Sequence, residues 1–339
     1  MTQEITRQLQ TIRSAGKDHL VSAAMVRAGT SRIIVADGRT APEGMTHEEL
    51  SYHLLGHGDP SNGLGGEHYQ LNKVAIWRPA EPPFVDFHFF NLDPGEQKMV
   101  MGAECGHAAA AVGMVAGLEE PEQFDPSLIR VRNADTRQII DFKTHVPERF
   151  WNAPCTINLH AEDQDIPPHR DEMHIDGGGD VLWHVVHHGN SFALVQGFEA
   201  TESPEVRRHI ESHTIEHARE VGRRNIGPEF VRVIPHTAEW ESRTHARVQA
   251  CCWNGEEKHK SLPVSGAIAL CDFLACRQCS NDPSSDTKEC TYTFTIDSPT
   301  SSEPGSVHMI RSGASWSIVW SGYDTFVRLL VACEIVVPR

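Results

Sequence analysis

The sequence has no stretch approaching the ~18 uninterrupted apolar residues that cross a bilayer as a helix. Its first twenty residues, MTQEITRQLQTIRSAGKDHL, carry neither a secretory apolar core nor an Arg-rich, acid-free transit pattern. A soluble, cytoplasmic protein with no membrane partner is the expectation. Basic residues are scarce, with 30 Lys and Arg against 46 Asp and Glu in 339 residues, a formal charge of -16. Such a field repels phosphate backbones, so nucleic acid is not an expected partner. Cysteine is not scarce, but nine is an odd number in a long chain without an export signal, which argues against a disulfide framework and for free thiols. Aromatic residues make only 7% of the chain, whereas Gly (26) and Pro (20) are slightly above their usual share. A turn-rich fold with much β-structure fits this better than a helical bundle.

Alternating or β-rich runs recur between turn signals at residues 20–26, 31–36, 73–77, 85–91, 128–132, 138–142, 155–159 and 181–186. Further runs follow at 191–195, 230–234, 246–252, 292–296, 307–310, 316–320 and 334–337. Two segments break the pattern. Residues 105–118, CGHAAAAVGMVAGL, and 265–276, SGAIALCDFLAC, read as helices with little or no polar face, and a helix apolar all round belongs inside a domain. Their starts lie about 160 residues apart, so each half of the chain reads as strands wrapped around one buried helix, an internal duplication in pattern. The boundary is expected within the Pro/Gly/His-rich stretch 167–180, which gives domains of 1–180 and 181–339. A third, amphipathic helix over 204–224 is expected outside, and 278–289 reads as a surface loop.

The start of the first buried helix, Gly102-Ala103-Glu104-Cys105-Gly106-His107, is the most informative site. A helix N-terminus presents unpaired N–H groups and a positive dipole end, which attract carboxylates and favour a thiolate. Lys73 opens an apolar strand, where its amine could exchange protons or pair with a carboxylate. Arg27 to Ser31 joins two strands and could offer a guanidinium, hydroxyls and backbone N–H groups to an anion. Gly63-Leu64-Gly65-Gly66 is followed by a strand rather than a helix, which excludes a dinucleotide loop. His209, His213 and His217 share a helix face, and Cys271, Cys276, Cys279 and Cys290 lie near one another in sequence. Neither set has the paired spacing of a zinc site, so no metal is expected.

At Arg27 to Ser31, Gly63 to Ile76 and Cys105 to Gly113 the sequence resembles the 2-methylaconitate cis-trans isomerase family, which also contains 3-methylitaconate, aconitate and 4-oxalomesaconate isomerases. That family typically reads Arg-Gly-Gly-Thr-Ser-Lys, then Gly-Leu-Gly-Gly with Ser-Lys-Val-Ala-Ile, then Asn-Cys-Gly-Asn before a helix. Later echoes are Gly189 to Phe192, His259 to Ala267 and Arg328 to Pro338, in the expected order over nearly the whole chain. The resemblance implies an α+β, diaminopimelate-epimerase-like fold: two pseudo-symmetric domains, each a β-sheet or barrel around a central helix, with a cofactor-independent active site where the helix starts meet. By the same resemblance Lys73 and Cys105 look like the proton-transfer pair. Epimerase relatives carry a second cysteine just before the second helix, where this chain has Pro263, so a two-thiol mechanism is disfavoured. His107 stands where Asn is usual, Glu104 replaces another common Asn, and Ile296 to Ser301 replaces a His-Pro-Ser-Gly element. These departures suggest altered substrate anchoring and a specialised branch of the family.

The expected activity is isomerisation of an unsaturated di- or tricarboxylic acid by a 1,3-proton shift or a cis-trans change. Arg27, Thr30, Ser31, Gly65, Gly66, Gly106, His107, Asn190, Lys260, Ser265 and Gly266 are candidate carboxylate anchors. The expected partner is a small polycarboxylate, and a homodimer is an open expectation. Three alternatives remain: an isomerase or tautomerase of a related unsaturated acid in a specialised biosynthetic pathway; a thiol hydrolase using Cys105 with His107 as base, although residues two apart at a helix start do not face each other; and a non-catalytic zinc-stabilised binding protein.

Overall fold

The computed structural model describes residues 18–56, 63–93, 98–101, 104–160, 172–175, 179–185, 191–220, 231–259, 261–281, 288–312 and 315–338. Its first strands carry apolar side chains on both faces because both faces are covered. In β3 (Lys73–Pro79), Ala75 and Trp77 point to the central core while Val74 and Ile76 point to a second, outer cluster. A strand buried on two sides reads as a continuous apolar run.

β1 (Asp18–Ala28) pairs antiparallel with β2 (Ser31–Asp37), which runs parallel to β3; β3 pairs antiparallel with β4 (Phe84–Asp93). A short β5 (Lys98–Met101) adds to β4, which also runs parallel to β6 (Ile129–Asn133). β6, β7 (Ile139–Thr144) and β8 (Asn152–His160) follow as antiparallel neighbours. The ring is closed by the last strand of the chain, β18 (Ser315–Pro338), which pairs with β8 over 320–328 and with β1 over 327–338. Eight strands thus form a closed barrel. Inside it runs α2 (Gly106–Glu119), whose residues 106–117 are all buried and which touches all eight strands. Its alanines and glycines fit the narrow interior: a β-carbon on Gly113 would lie 2.7 Å from Phe142 Cβ.

The second half repeats the succession of pairings. β10 (Gly179–Val185), flanked by β9 (Glu172–Ile175), pairs antiparallel with β11 (Ser191–Gln196), which runs parallel to β12 (Val231–Trp240). β12 pairs antiparallel with β13 (His245–Ala250), β13 runs parallel to β16 (Glu289–Asp297), and β16, β17 (Ser302–Ser312) and β18 are antiparallel. The small β14 (Trp253–Asn254) and β15 (Glu257–Lys258) form a hairpin beside β12. α4 (Val264–Asn281) packs on β10, β11, β16, β17 and β18, and its apolar residues share one core with those of α2.

Two helices lie outside. α1 (His47–Leu55) begins with a capping box, Thr46 and Glu49 bonding each other's backbone N–H, and ends on Gly56 at φ 81°. It covers Val74 and Ile76 with Leu50, Leu54 and Leu55. α3 (Pro204–Glu220) sets Ile210, Val206 and Ile215 on β11 and β12, on the exterior as expected.

Three differences from the sequence expectation stand out. α1 is missing from it. α4 continues to Asn281 where a loop was expected from 278, because Cys279 is buried against Tyr292 and Met309. The final two strand predictions are parts of a single strand, β18, which serves both halves, so the end of the chain lies in the first half's barrel. Among the described residues no helix is long and apolar enough to cross a membrane.

Candidate active site

The barrel places the first inward-facing residue of β3, Lys73, at the end of the interior where α2 begins. Cys105 is the residue that caps α2, in extended conformation (φ -139°, ψ 99°), with its carbonyl accepting from Ala109 N–H at 3.0 Å. In the second half Pro263 has the same place: its carbonyl accepts from Ala267 N–H at 2.9 Å. The two helix starts touch, since a β-carbon on Gly106 would lie 2.5 Å from Val264 Cγ1. A cleft opens where they meet, lined from one side by Thr30, Ser31, Lys73, Glu104, Cys105, Gly106 and His107 and from the other by Val264 and Ser265.

Lys73 Nζ lies 3.9 Å from Cys105 Sγ and donates to Ser31 Oγ at 2.9 Å. Amine and thiol therefore border the same small space. Cys105 is 8% exposed, so its sulfur faces the cleft rather than bulk water. His107 is buried above the Gly29 turn, where φ is +50° and a β-carbon would strike the imidazole. Its Nδ1 stands 3.4 Å from Ser31 Oγ and its Nε2 3.4 Å from Thr325 Oγ1. Burial, together with the Lys73 and Arg27 charges, pushes its pKa down to about 3, so the ring is neutral. With both nitrogens facing hydroxyls, His107 is not placed as a base for the Cys105 thiol.

Glu104 is 4% exposed and lines the cleft. Burial pushes its carboxyl up to about 8, although bonds from Thr136, Asn133 and the Cys105 N–H favour the anion. At neutral pH it is largely a neutral acid.

The remaining anchor candidates fall into three groups. Thr30, Ser31, Gly106, His107 and Ser265 line the cleft as expected. Arg27 does not: its side chain is exposed and Nε donates to Gly29 O at 2.9 Å. Gly65, Gly66 and Gly266 also lie off the cleft wall. Gly66 exchanges two bonds of 2.7 Å with the Asn72 side chain, and Arg32 Nη2 holds the Leu64 and Gly65 carbonyls at 2.8 and 2.9 Å. This glycine loop is folded tightly on itself and on the end of α1, where a β-carbon on Gly65 would meet Leu55 O at 2.7 Å. Gly266 lets α4 sit close to Ile234 and Phe192. Asn190 and Lys260 lie outside the described residues, as do Gly102 and Ala103.

Gln70, Phe89, Arg232, His259 and Val264 line the cleft but are not among the candidate site residues of the sequence expectation. Arg232 carries a signal, a cation inside the apolar run Phe230 to Ile234, of the kind that singles out Lys73. His259 is buried, and burial with the charges of Arg232 and Lys73 pushes its pKa down to about 4.

The segment Ile296 to Ser301 lies off the cleft wall; Asp297 pairs with Arg247 at 2.6 Å and Ser298 closes a turn with Ser301. None of the nine cysteines is joined in a disulfide. Among the described residues no group of three or more His, Cys, Asp or Glu is arranged to hold a metal ion. His209 and His213 stack edge-on at 4.5 Å on the outer helix α3, and the side chain of His217 lies outside the described residues.

No family model and no curated protein matches the sequence. Among solved structures, a methylitaconate-delta-isomerase matches with a TM-score of 0.64 at 17% identity, covering 95% of this chain and 97% of that one. A hydroxyproline epimerase from Agrobacterium vitis with bound trans-4-hydroxy-L-proline matches with a TM-score of 0.57 at 12% identity, covering 94% and 92%. Barrel, buried helices and end-to-end coverage together make this the diaminopimelate-epimerase-like fold that the resemblance implied.

Proposed function

We propose that the protein is a cofactor-independent isomerase of an unsaturated di- or tricarboxylic acid of the aconitate or methylaconitate type, acting by a 1,3-proton shift or a cis-trans change. The observation that carries this reading is the 3.9 Å separation of Lys73 Nζ and Cys105 Sγ on one wall of a cleft formed by two helix starts. One of the pair removes the proton activated by the conjugated acid, the electron pair passes into the π-system as a dienolate, and a proton returns at the far carbon from the other. Atoms and charge balance without a further reactant.

The dienolate needs stabilisation at the moment it forms. Preoriented N–H groups at the starts of α2 and α4 and the Lys73 ammonium provide it in a space shielded from water. Pro263, standing where Cys105 stands in the first half, brings no second thiol, which favours transfer between unlike groups over a thiol–thiol racemase. The repeated succession of strand pairings supports two pseudo-symmetric domains, with the first lying within 1–180 and completed by β18. The two similar solved structures reported above are an isomerase and an epimerase by their names, and a small polycarboxylate is the substrate class we assign.

The test is deuterium incorporation from solvent into aconitate-type acids by wild type, Cys105→Ser and Lys73→Ala. Exchange in wild type that falls at least about a hundredfold in both variants supports the pair, within the range a positioned acid or base contributes. Unchanged exchange in both removes them from the mechanism.

A further inference from the structure

Arg232 holds in the second half the place that Lys73 holds in the first. β2 and β3 run parallel with Ile33 opposite Lys73; β11 and β12 run parallel with Phe192 opposite Arg232. Ile33 and Phe192 both face the core around the central helices, as do the next inward residues, Ala75 and Ile234. Val74 in β3 and Val231 and Val233 in β12 face outer clusters. The same step of the fold thus delivers one cation to the cleft from each side. Arg232 is 6% exposed, lines the cleft, and sits 5.9 Å from the centre of the Phe192 ring. Its charge and that of Lys73 both reach His259.

A buried guanidinium in a cleft is suited to one ligand group above others, the planar carboxylate, which it can meet with two parallel N–H bonds. Lys73 is already committed by the isomerase reading to the reacting end of the substrate. A zwitterionic amino acid would need an anionic side chain for its ammonium, and among the described residues the sole carboxyl on the cleft wall is the buried Glu104. We propose that Arg232 is the specificity-determining anchor for a second substrate carboxylate, so that the cleft selects an acid with at least two ionised carboxylates spanning the two halves. The proposal rests on the isomerase reading and names its substrate class.

The test uses 2-methylsuccinate, a saturated diacid with no double bond to move, and its two monomethyl esters, with affinities measured by titration calorimetry for wild type, Arg232→Gln and Arg232→Lys. Wild type is expected to bind the diacid about tenfold to a hundredfold more tightly than either ester, the value of one charge-assisted carboxylate contact. Arg232→Gln should bring the diacid down to the level of the better ester, and Arg232→Lys should keep part of the preference. Equal affinity of wild type for diacid and esters, no binding of any of them, or a folded Arg232→Gln that keeps the preference would each overturn the proposal. Should Arg232→Gln not fold, wild type and Arg232→Lys decide, an undiminished preference in the Lys variant counting against it. Deuterium exchange reports separately on the isomerase: a diacid preference without exchange retains the anchor and removes the proton-transfer reading, and exchange without preference does the reverse.

Discussion

Gly106 and Val264 are in contact across the two halves, with 2.5 Å between Val264 Cγ1 and the place a β-carbon on Gly106 would take. No side chain fits there while the two helix starts stay together. Adding one should push α2 and α4 apart and disturb the cleft where Cys105 and Gly106 face Val264 and Ser265. Gly106→Ala is expected to cost about 1–3 kcal/mol of stability and to reduce deuterium exchange more than tenfold. Gly113→Ala, which overpacks the same helix against Phe142 far from the cleft, is the comparison. Equal loss of exchange in two variants of equal stability would show that the contact does not set the geometry.

Glu104 gives a prediction about alkaline pH. Its folded pKa, about 8, is above the ordinary carboxylate value of 4.5, so between these values the folded chain binds a proton that the unfolded chain has released. The stabilisation is complete below pH ~4.5 and is lost as pH rises through about 8. Glu104→Gln, which cannot ionise, should flatten this slope, gaining on wild type by up to about 5 kcal/mol across the window. Thermal melts of both proteins at intervals from acid to alkaline pH test it, and parallel curves would refute it.

His259 and His107 act in the opposite direction. Their folded pKa values, about 4 and about 3, lie below the ordinary 6.5. The unfolded chain therefore takes up protons first, and stability present above pH ~6.5 is lost as pH falls toward 4. His259→Gln should make the acid limb of the stability profile shallower without altering the alkaline limb. A single-site change in both limbs would contradict the assignment.

Thr46→Ala removes the capping box of α1. This helix packs on the outer face of β3 and β4, away from the cleft. A loss of about 1 kcal/mol is expected in chemical denaturation, with deuterium exchange unchanged at temperatures where the protein stays folded. Loss of exchange in the folded variant would mean that α1 supports the site through the strands it packs on.

Much of this protein is decided by local chemistry. An alanine-rich segment with no polar face can be stable only inside a shell, and runs of β-branched residues between turns supply that shell, so both central helices and most strands are legible in the sequence alone. Lys73 and Cys105 stand out there because one is a cation at the head of an apolar strand and the other a thiol at the start of a helix with no polar face. α1 has a local signal as well, since Thr46 and Glu49 have the capping-box spacing, but its apolar periodicity is too weak to announce a helix.

Other features depend on residues far apart in sequence that only tertiary pairing brings together. The glycines at 65 and 66 suggest an anion loop by composition, yet Asn72 Oδ1 takes the Gly66 N–H that such a loop would offer, and Arg32 ties down the Leu64 and Gly65 carbonyls. Arg232 and His259 join the cleft because a parallel pairing and a helix start bring the second half against the first. The last strand belongs to both halves because the barrel of the first is one strand short until the chain's end returns to close it. Sequence period fixes which way a side chain faces within its own strand; which strand lies beside it is set by the free energy of closing the whole sheet around its helix.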